Sequence, residues 1–348
     1  MTTSQISPPV EQQVPSLQEL LVADPDQFVA RYTDVAAYNL TCARELPHAD
    51  ETNFLKYMEL LDTIAESVRQ ETERNWRLFK LKPAQFHHSE AVYRLYTMEH
   101  VFRVRFQIKY DPVVHRIVDR DRGWVTSDSS EVFIHGVLGE KRTGTCSSLP
   151  TFAIAVGRRL GYPLKLILVP NHTLYRWDDG DEVHNLQHTE AGGNVHPDEY
   201  FHQWPRKWTE RDFLLNERTH VWLHSMTPRQ EVSKFLCTRA TFLYFAGRYD
   251  EAIKAVDAAQ RFNPINPACN SIRNDILYKQ HNCSCSRIAS ANFSSFQSGS
   301  LAAHEKFFSE VSAVLRSVVS IELPLPQHGS KPTSRRFWNI PPRKDPEQ

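Results

Sequence analysis

Several things are scarce in this chain of 348 residues. No run approaches the ~18 consecutive apolar residues that a membrane span requires. The opening stretch, Met1 to Pro15, is polar and lacks the apolar centre of a secretory signal. With only six cysteines, the composition suits a reduced cytoplasmic protein better than a disulfide scaffold. Charge of one sign is absent too: 41 Lys and Arg stand against 41 Asp and Glu. That balance excludes a broad basic footprint for nucleic acid. No glycine-rich phosphate loop occurs. His87-His88, with Glu90 nearby, has no second ligand pair, and Cys283-Ser-Cys285 has no partner pair for zinc. Asp178, Asp179 and Asp181 do not follow a calcium-loop pattern. No cofactor, metal, membrane or nucleic-acid partner is implied.

Apolar residues make up 41% and charged residues 24% of the chain, enough to bury a real core. Residues 1–15 read as a disordered lead-in and 16–89 as a helical region. Between Phe54 and Phe79, Leu55, Met58, Leu61, Ile64, Ala65 and Val68 recur at three- and four-residue steps, the mark of an amphipathic helix. Residues 90–225 change texture. A helical run, EAVYRLYTMEHVFRV, comes before a break at Asp111-Pro112. A short helix (SSEVFIHGVLGE) follows, then RTGTCSSLPTFAIAVGRRLGYP, a helix stopped by Gly161 and Pro163. LKLILVP then reads as a buried strand, and HTLYRW and EVHNLQHT flank Asp179-Gly180, a strong hairpin signal. Helix followed by antiparallel strands predicts an α+β core. Trp204, Trp208 and Trp222 are expected to close it. Residues 226–282 are helical again, and 283–300 form a Ser-rich linker. An amphipathic helix over 301–323 and a disordered tail over 324–348 complete the chain.

Cys146 carries the most chemistry. It stands in Gly-Thr-Cys-Ser-Ser at the head of a helix that Pro150 sets to begin near Ser147 or Ser148. The helix dipole and unpaired N–H groups there favour thiolate, the nucleophilic form. His172, at the end of the aliphatic strand, is placed to act as base. If Asp179 and Gly180 are the two central turn residues, Asp178 pairs with Asp181, Leu174 with Asn185 and His172 with Gln187. Asn185 then shares a face with His172 and is its diagonal neighbour, able to orient the ring. Cys146, His172 and Asn185 make a nucleophile, base and orienter. The plainer alternative is a buried histidine beside ordinary hairpin residues. His184 and His188, four apart, are taken as solvent-facing.

The run from Gly144 to Thr189 resembles the transglutaminase-like cysteine-enzyme superfamily. It is most similar to a bacterial branch in which that domain precedes tetratricopeptide repeats. The resemblance rests on GTCSSLPTFAIAVGRRLGYPLKL, the His of NHTLYRW and the Asn of VHNLQHT, and extends over roughly residues 90–210. It implies a papain-like core, with the cysteine helix packed on an antiparallel sheet, and Cys146, His172 and Asn185 as the triad. Aspartate is common at the third position of that family. An amide can orient a histidine but brings no charge to it.

Lys234 to Asn266 carries the small residues of one tetratricopeptide repeat: Ala240, Gly247, Ala252 and Ala259, with Pro264 ending the second helix. A single repeat needs neighbours, so it is expected to pack on the core. The leading expectation is cysteine-dependent acyl transfer or amide hydrolysis on a protein or peptide substrate. The alternative is a catalytically silent scaffold, with protein partners engaged through the helical repeat.

Overall fold

The structure is a computed structural model describing residues 14–111, 118, 119, 123, 124, 128–170, 172–188, 194–204 and 207–281. The linker, the 301–323 helix, the tail, Cys283, Cys285 and residues 1–13 of the lead-in lie outside these. Val14 and Pro15, assigned to the lead-in, are instead buried, with the Pro15 carbonyl accepting from Thr41 and Arg44.

The helices α1 (Leu17–Val22), α2 (Pro25–Arg31) and α3 (Val35–Ala43) lead to α4 (Phe54–Leu81) and α5 (Glu90–His100). Short strands β1 (Lys109–Tyr110), β2 (Val118–Asp119) and β3 (Gly123–Trp124) precede α6 (Ile134–Leu138), β4 (Thr143–Gly144) and α7 (Leu149–Arg159). Then come β5 (Leu164–Val169), β6 (His172–Asp178), β7 (Val183–Leu186), β8 (Val195–His196), α8 (Asp198–Phe201) and α9 (Glu210–Thr219). The chain continues into α10 (Pro228–Phe245), α11 (Tyr249–Phe262) and α12 (Pro267–His281). Residues through Arg273 form one compact unit, and those from Asn274 belong to a second.

Local sequence explains most of these elements. On α4 the apolar stripe buries Met58, Leu61, Ile64, Ala65 and Val68. Leu55, counted in that stripe, is 37% exposed, and Phe54 takes its place in the core. Ser89 caps α5 by accepting from Val92 N–H. Thr227 and Gln230 form a reciprocal capping box at the start of α10, with Pro228 in its first turn.

The α+β expectation holds: β5, β6, β7 and β8 form one antiparallel sheet in that order. Helix α7 packs closely on it. A Cβ on Gly157 would come within 2.2 Å of Leu164 Cδ1, so only glycine permits this approach. The opposite face carries Ile167, Val169 and Leu174 under Phe201 of α8. Beyond β5, the segment 223–226 runs along its outer side: Leu223 N–H donates to Leu168 O at 2.8 Å and Met226 N–H to Leu166 O at 2.9 Å.

α10 and α11 form the expected helical hairpin, with Ala240, Ala252 and Ala259 buried. They pack on the rest of the unit through polar locks. Glu231 of α10 pairs with both Arg158 nitrogens at 2.6 and 2.9 Å and accepts from Tyr38 OH at 2.9 Å. Arg239 donates to the carbonyls of Cys42 and Arg44. Cys237 and Cys269 are joined as a disulfide, which departs from the expectation of reduced cysteines.

Candidate active site

Cys146 sits in a loop tied down on three sides. Thr145 Oγ1 and Ser148 Oγ both donate to the Glu131 carbonyl, at 2.7 and 3.3 Å. Ser148 Oγ accepts from Thr145 N–H at 3.0 Å, and Thr145 Oγ1 from Ser147 N–H at 3.2 Å. Gly144 is obligatory here, since a Cβ would meet Val137, Ser148 and Leu149 side chains at 2.7 to 2.9 Å. Ser148 is the N-cap of α7 and Pro150 lies in its first turn, as expected from the sequence. Cys146 is therefore held at the positive end of the helix.

The thiol is half-buried. Burial pushes it up, while the Lys234 ammonium and hydrogen bonds from the N–H groups of Thr173 and of Cys146 itself pull it back. Thr173 follows His172 directly in β6. His172 opens β6 opposite Val169, on the face of the sheet that carries Phe201 and faces away from α7. The His172 ring is buried and stands edge-on to Trp204 at 4.7 Å. Trp204 packs on the Ile167, Val169, Leu174 and Phe201 cluster, as expected of a residue that closes the core.

The hairpin register corrects the expected third member. Asp178 pairs with Val183 and Arg176 with Asn185, two residues from the anticipated alignment. Asn185 stays on the His172 face of the ribbon but lies four residues along it. Its Oδ1 accepts from Arg176 Nε at 2.6 Å, and its Nδ2 donates to His196 O at 3.0 Å and Asp198 Oδ1 at 2.7 Å. Arg176 also pairs with Asp198 and donates to Leu223 O at 3.0 Å. Asn185 is bound into this clamp and not to His172. The same register, carried one pair past the ladder, sets Gln187 opposite Leu174. Gln187, 1% exposed, then holds the diagonal position beside His172.

The other face of the hairpin carries a second polar group. Tyr175 OH donates to Glu99 Oε1 at 2.5 Å, and His188 Nδ1 approaches the same oxygen at 3.1 Å. His188, taken as solvent-facing, is buried, with its side chain 6% exposed. Its ring lies 5.2 Å from Tyr175 and 6.1 Å from Phe102, and its Nε2 has no hydrogen-bond partner among the described residues. Burial alone would push the Glu99 carboxyl up; His188, Tyr175 and Arg103 overcome this and hold it below the ordinary value.

One residue of the site had no sequence signal. Lys234 of α10 reaches the loop after Cys146 and donates to Ser147 Oγ at 3.2 Å and Ser147 O at 3.4 Å. Burial pushes its ammonium down to about 8, against the pull of Cys146 and Cys42.

No family model, curated protein or solved structure matches this chain. No helix among the described residues is long and apolar enough to cross a membrane, and these residues hold no cluster suited to a metal ion.

Proposed function

We propose that this protein is a cysteine-dependent acyltransferase or amide hydrolase with a papain-like, transglutaminase-like core. The observation that carries the reading is Cys146 at the head of α7, where the helix dipole, the Lys234 ammonium and the Thr173 N–H favour its thiolate against the cost of burial. In the reaction the thiol proton passes to His172, and sulfur bonds to the carbonyl carbon of a carboxamide or peptide. The tetrahedral oxyanion collapses, the C–N bond breaks, and His172 returns the proton to the departing amine. Water or an amine then attacks the thioester, gives up its proton to His172, and releases the acyl group with Cys146 restored as thiol. The Cys-His pair is proposed with Gln187 as its orienter.

The reading is tested by mass spectrometry of the full chain after exposure to a peptidyl acyloxymethyl ketone, which an activated cysteine converts to a thioether with loss of a carboxylate. An adduct on Cys146 that His172→Ala abolishes is the expected result. No adduct, with an intact fold, would leave the silent scaffold in its place. The carboxylate–imidazole pair Glu99–His188, with its unpartnered Nε2, favours a second assignment of the base. An adduct that survives His172→Ala but is lost in His188→Ala would transfer the role to His188.

A further inference from the structure

We propose that Lys234, delivered by the C-terminal helical hairpin, is a further residue of the Cys146 site and serves as the fixed cation of its thiolate. The inference rests on the acyl-transfer reading and adds to it the charge that an amide at the third position cannot provide.

The geometry comes first. Lys234 Nζ lies 3.2 Å from Ser147 Oγ and 3.4 Å from Ser147 O, on the residue that follows Cys146. No carboxylate among the described residues pairs with it. Its aliphatic stem runs past Phe235, whose ring centroid is 5.3 Å from Nζ. An ammonium at this place faces the positive end of α7, where the helix dipole repels a cation and favours an anion. A half-buried cation without a carboxylate, held against a helix N-terminus, is compensated only if a negative charge sits there. Cys146 is the group that can carry it. The other titratable group acting on Lys234 is Cys42 of α3. Burial drives the Cys42 thiol up to about 12, so it stays neutral.

Placement of the lysine is not incidental. Glu231, one turn earlier on α10, is doubly bonded to Arg158 of α7, and Arg239 is tied to the carbonyls at the end of α3. These locks, one to α7 and one to α3, hold α10 on either side of Lys234, so the ammonium is set before substrate arrives. Acylation of sulfur removes the thiolate charge and leaves Lys234 as an uncompensated cation, which favours loss of its proton in the acyl-enzyme. The helical hairpin is then part of the catalytic centre.

The experiment is a pH series of Cys146 alkylation by iodoacetamide, read by mass spectrometry on the full chain, with melting curves as the control for folding. Lys234→Gln keeps a hydrogen-bond donor to Ser147 but no charge, Lys234→Arg keeps the charge, and Lys234→Met keeps neither. The expected result is an alkylation midpoint raised by about one pH unit or more in the Gln and Met variants, hence about tenfold slower labelling below the midpoint, with Lys234→Arg near the wild type. A Gln variant with the wild-type profile would reduce Lys234 to a structural donor and overturn the assignment. The ketone probe separates the two readings. A shifted profile without an acyloxymethyl ketone adduct in the wild type keeps the charge pair and removes the enzyme. An adduct with unshifted profiles keeps the enzyme and removes the lysine.

Discussion

Two polar groups at opposite ends of one β-hairpin differ in how completely they are paired. Near the turn, Arg176, Asn185 and Asp198 satisfy one another and the carbonyls of His196 and Leu223. At the far end, Lys234 is bonded to Ser147 beside the half-buried Cys146 thiol, and no carboxylate among the described residues pairs with that lysine. The first arrangement suits a clamp that sets strand order and anchors α8. The second leaves a thiol and an ammonium for the reaction proposed above. A cation stands at both ends, so its presence alone does not separate scaffold from candidate site; saturation of partners does.

Substitution at Asn185 challenges that contrast most strongly. Asn185→Leu leaves Arg176 Nε and an Asp198 oxygen without their buried partner, and stability should fall by about 3 kcal/mol. The measurement is urea unfolding, and Cys146 alkylation should keep its wild-type pH profile. A changed profile would show that the clamp and the thiol communicate. Asn185→Asp sets a second carboxylate beside Asp198 and should destabilise as well, without quickening alkylation.

The Glu99–His188 pair comes next. Its carboxyl is held below the ordinary value, so the stabilisation is full above the unfolded value of about 4.3 and is lost as pH falls through the folded value. Glu99→Gln should flatten the loss of stability between about pH 5 and pH 3. Unfolding curves at fixed pH that run parallel in the two proteins would remove Glu99 from the acid response.

Smaller effects sharpen the far end. Gln187→Glu places a carboxylate diagonal to His172, favours the imidazolium form and should speed Cys146 alkylation near pH 6 by severalfold. An equal gain in Asn185→Asp would return Asn185 to the site. Ser147→Ala removes one acceptor of Lys234 while leaving the Ser147 carbonyl, and alkylation rates should change by no more than about threefold. A tenfold loss would make the hydroxyl, and not the ammonium, the principal partner of that loop.

The sequence displayed whatever is set by neighbours along the chain. The α4 stripe, the β5 aliphatic run, and Gly144-Thr145-Cys146 at a helix head all follow from local chemistry and stand in the structure. The hairpin register did not, although its cause is also local. Asp179 Oδ1 accepts from the N–H groups of both Asp181 and Glu182, at 3.0 and 2.8 Å, which widens an apparent two-residue turn to residues 179–182. A shift of two preserves the face on which each side chain lies and moves every diagonal neighbour. Asn185 therefore had the right face and the wrong partner. Contacts across long separations left no trace at all. Lys234 meets Ser147 from 87 residues away, and Glu99 meets His188 only because α5 packs beside the sheet.

The strap formed by residues 223–226 has a consequence for how a peptide can be received. An unpaired strand edge offers a row of N–H and C=O groups, onto which an extended peptide can add as another strand. Leu223 and Met226 already occupy that row along β5 through Leu168 and Leu166. The β5 border is thereby shielded from strand addition and from edge-to-edge association with a second chain. A peptide that joins this sheet by strand addition has to use a border other than that of β5 at Leu166 and Leu168.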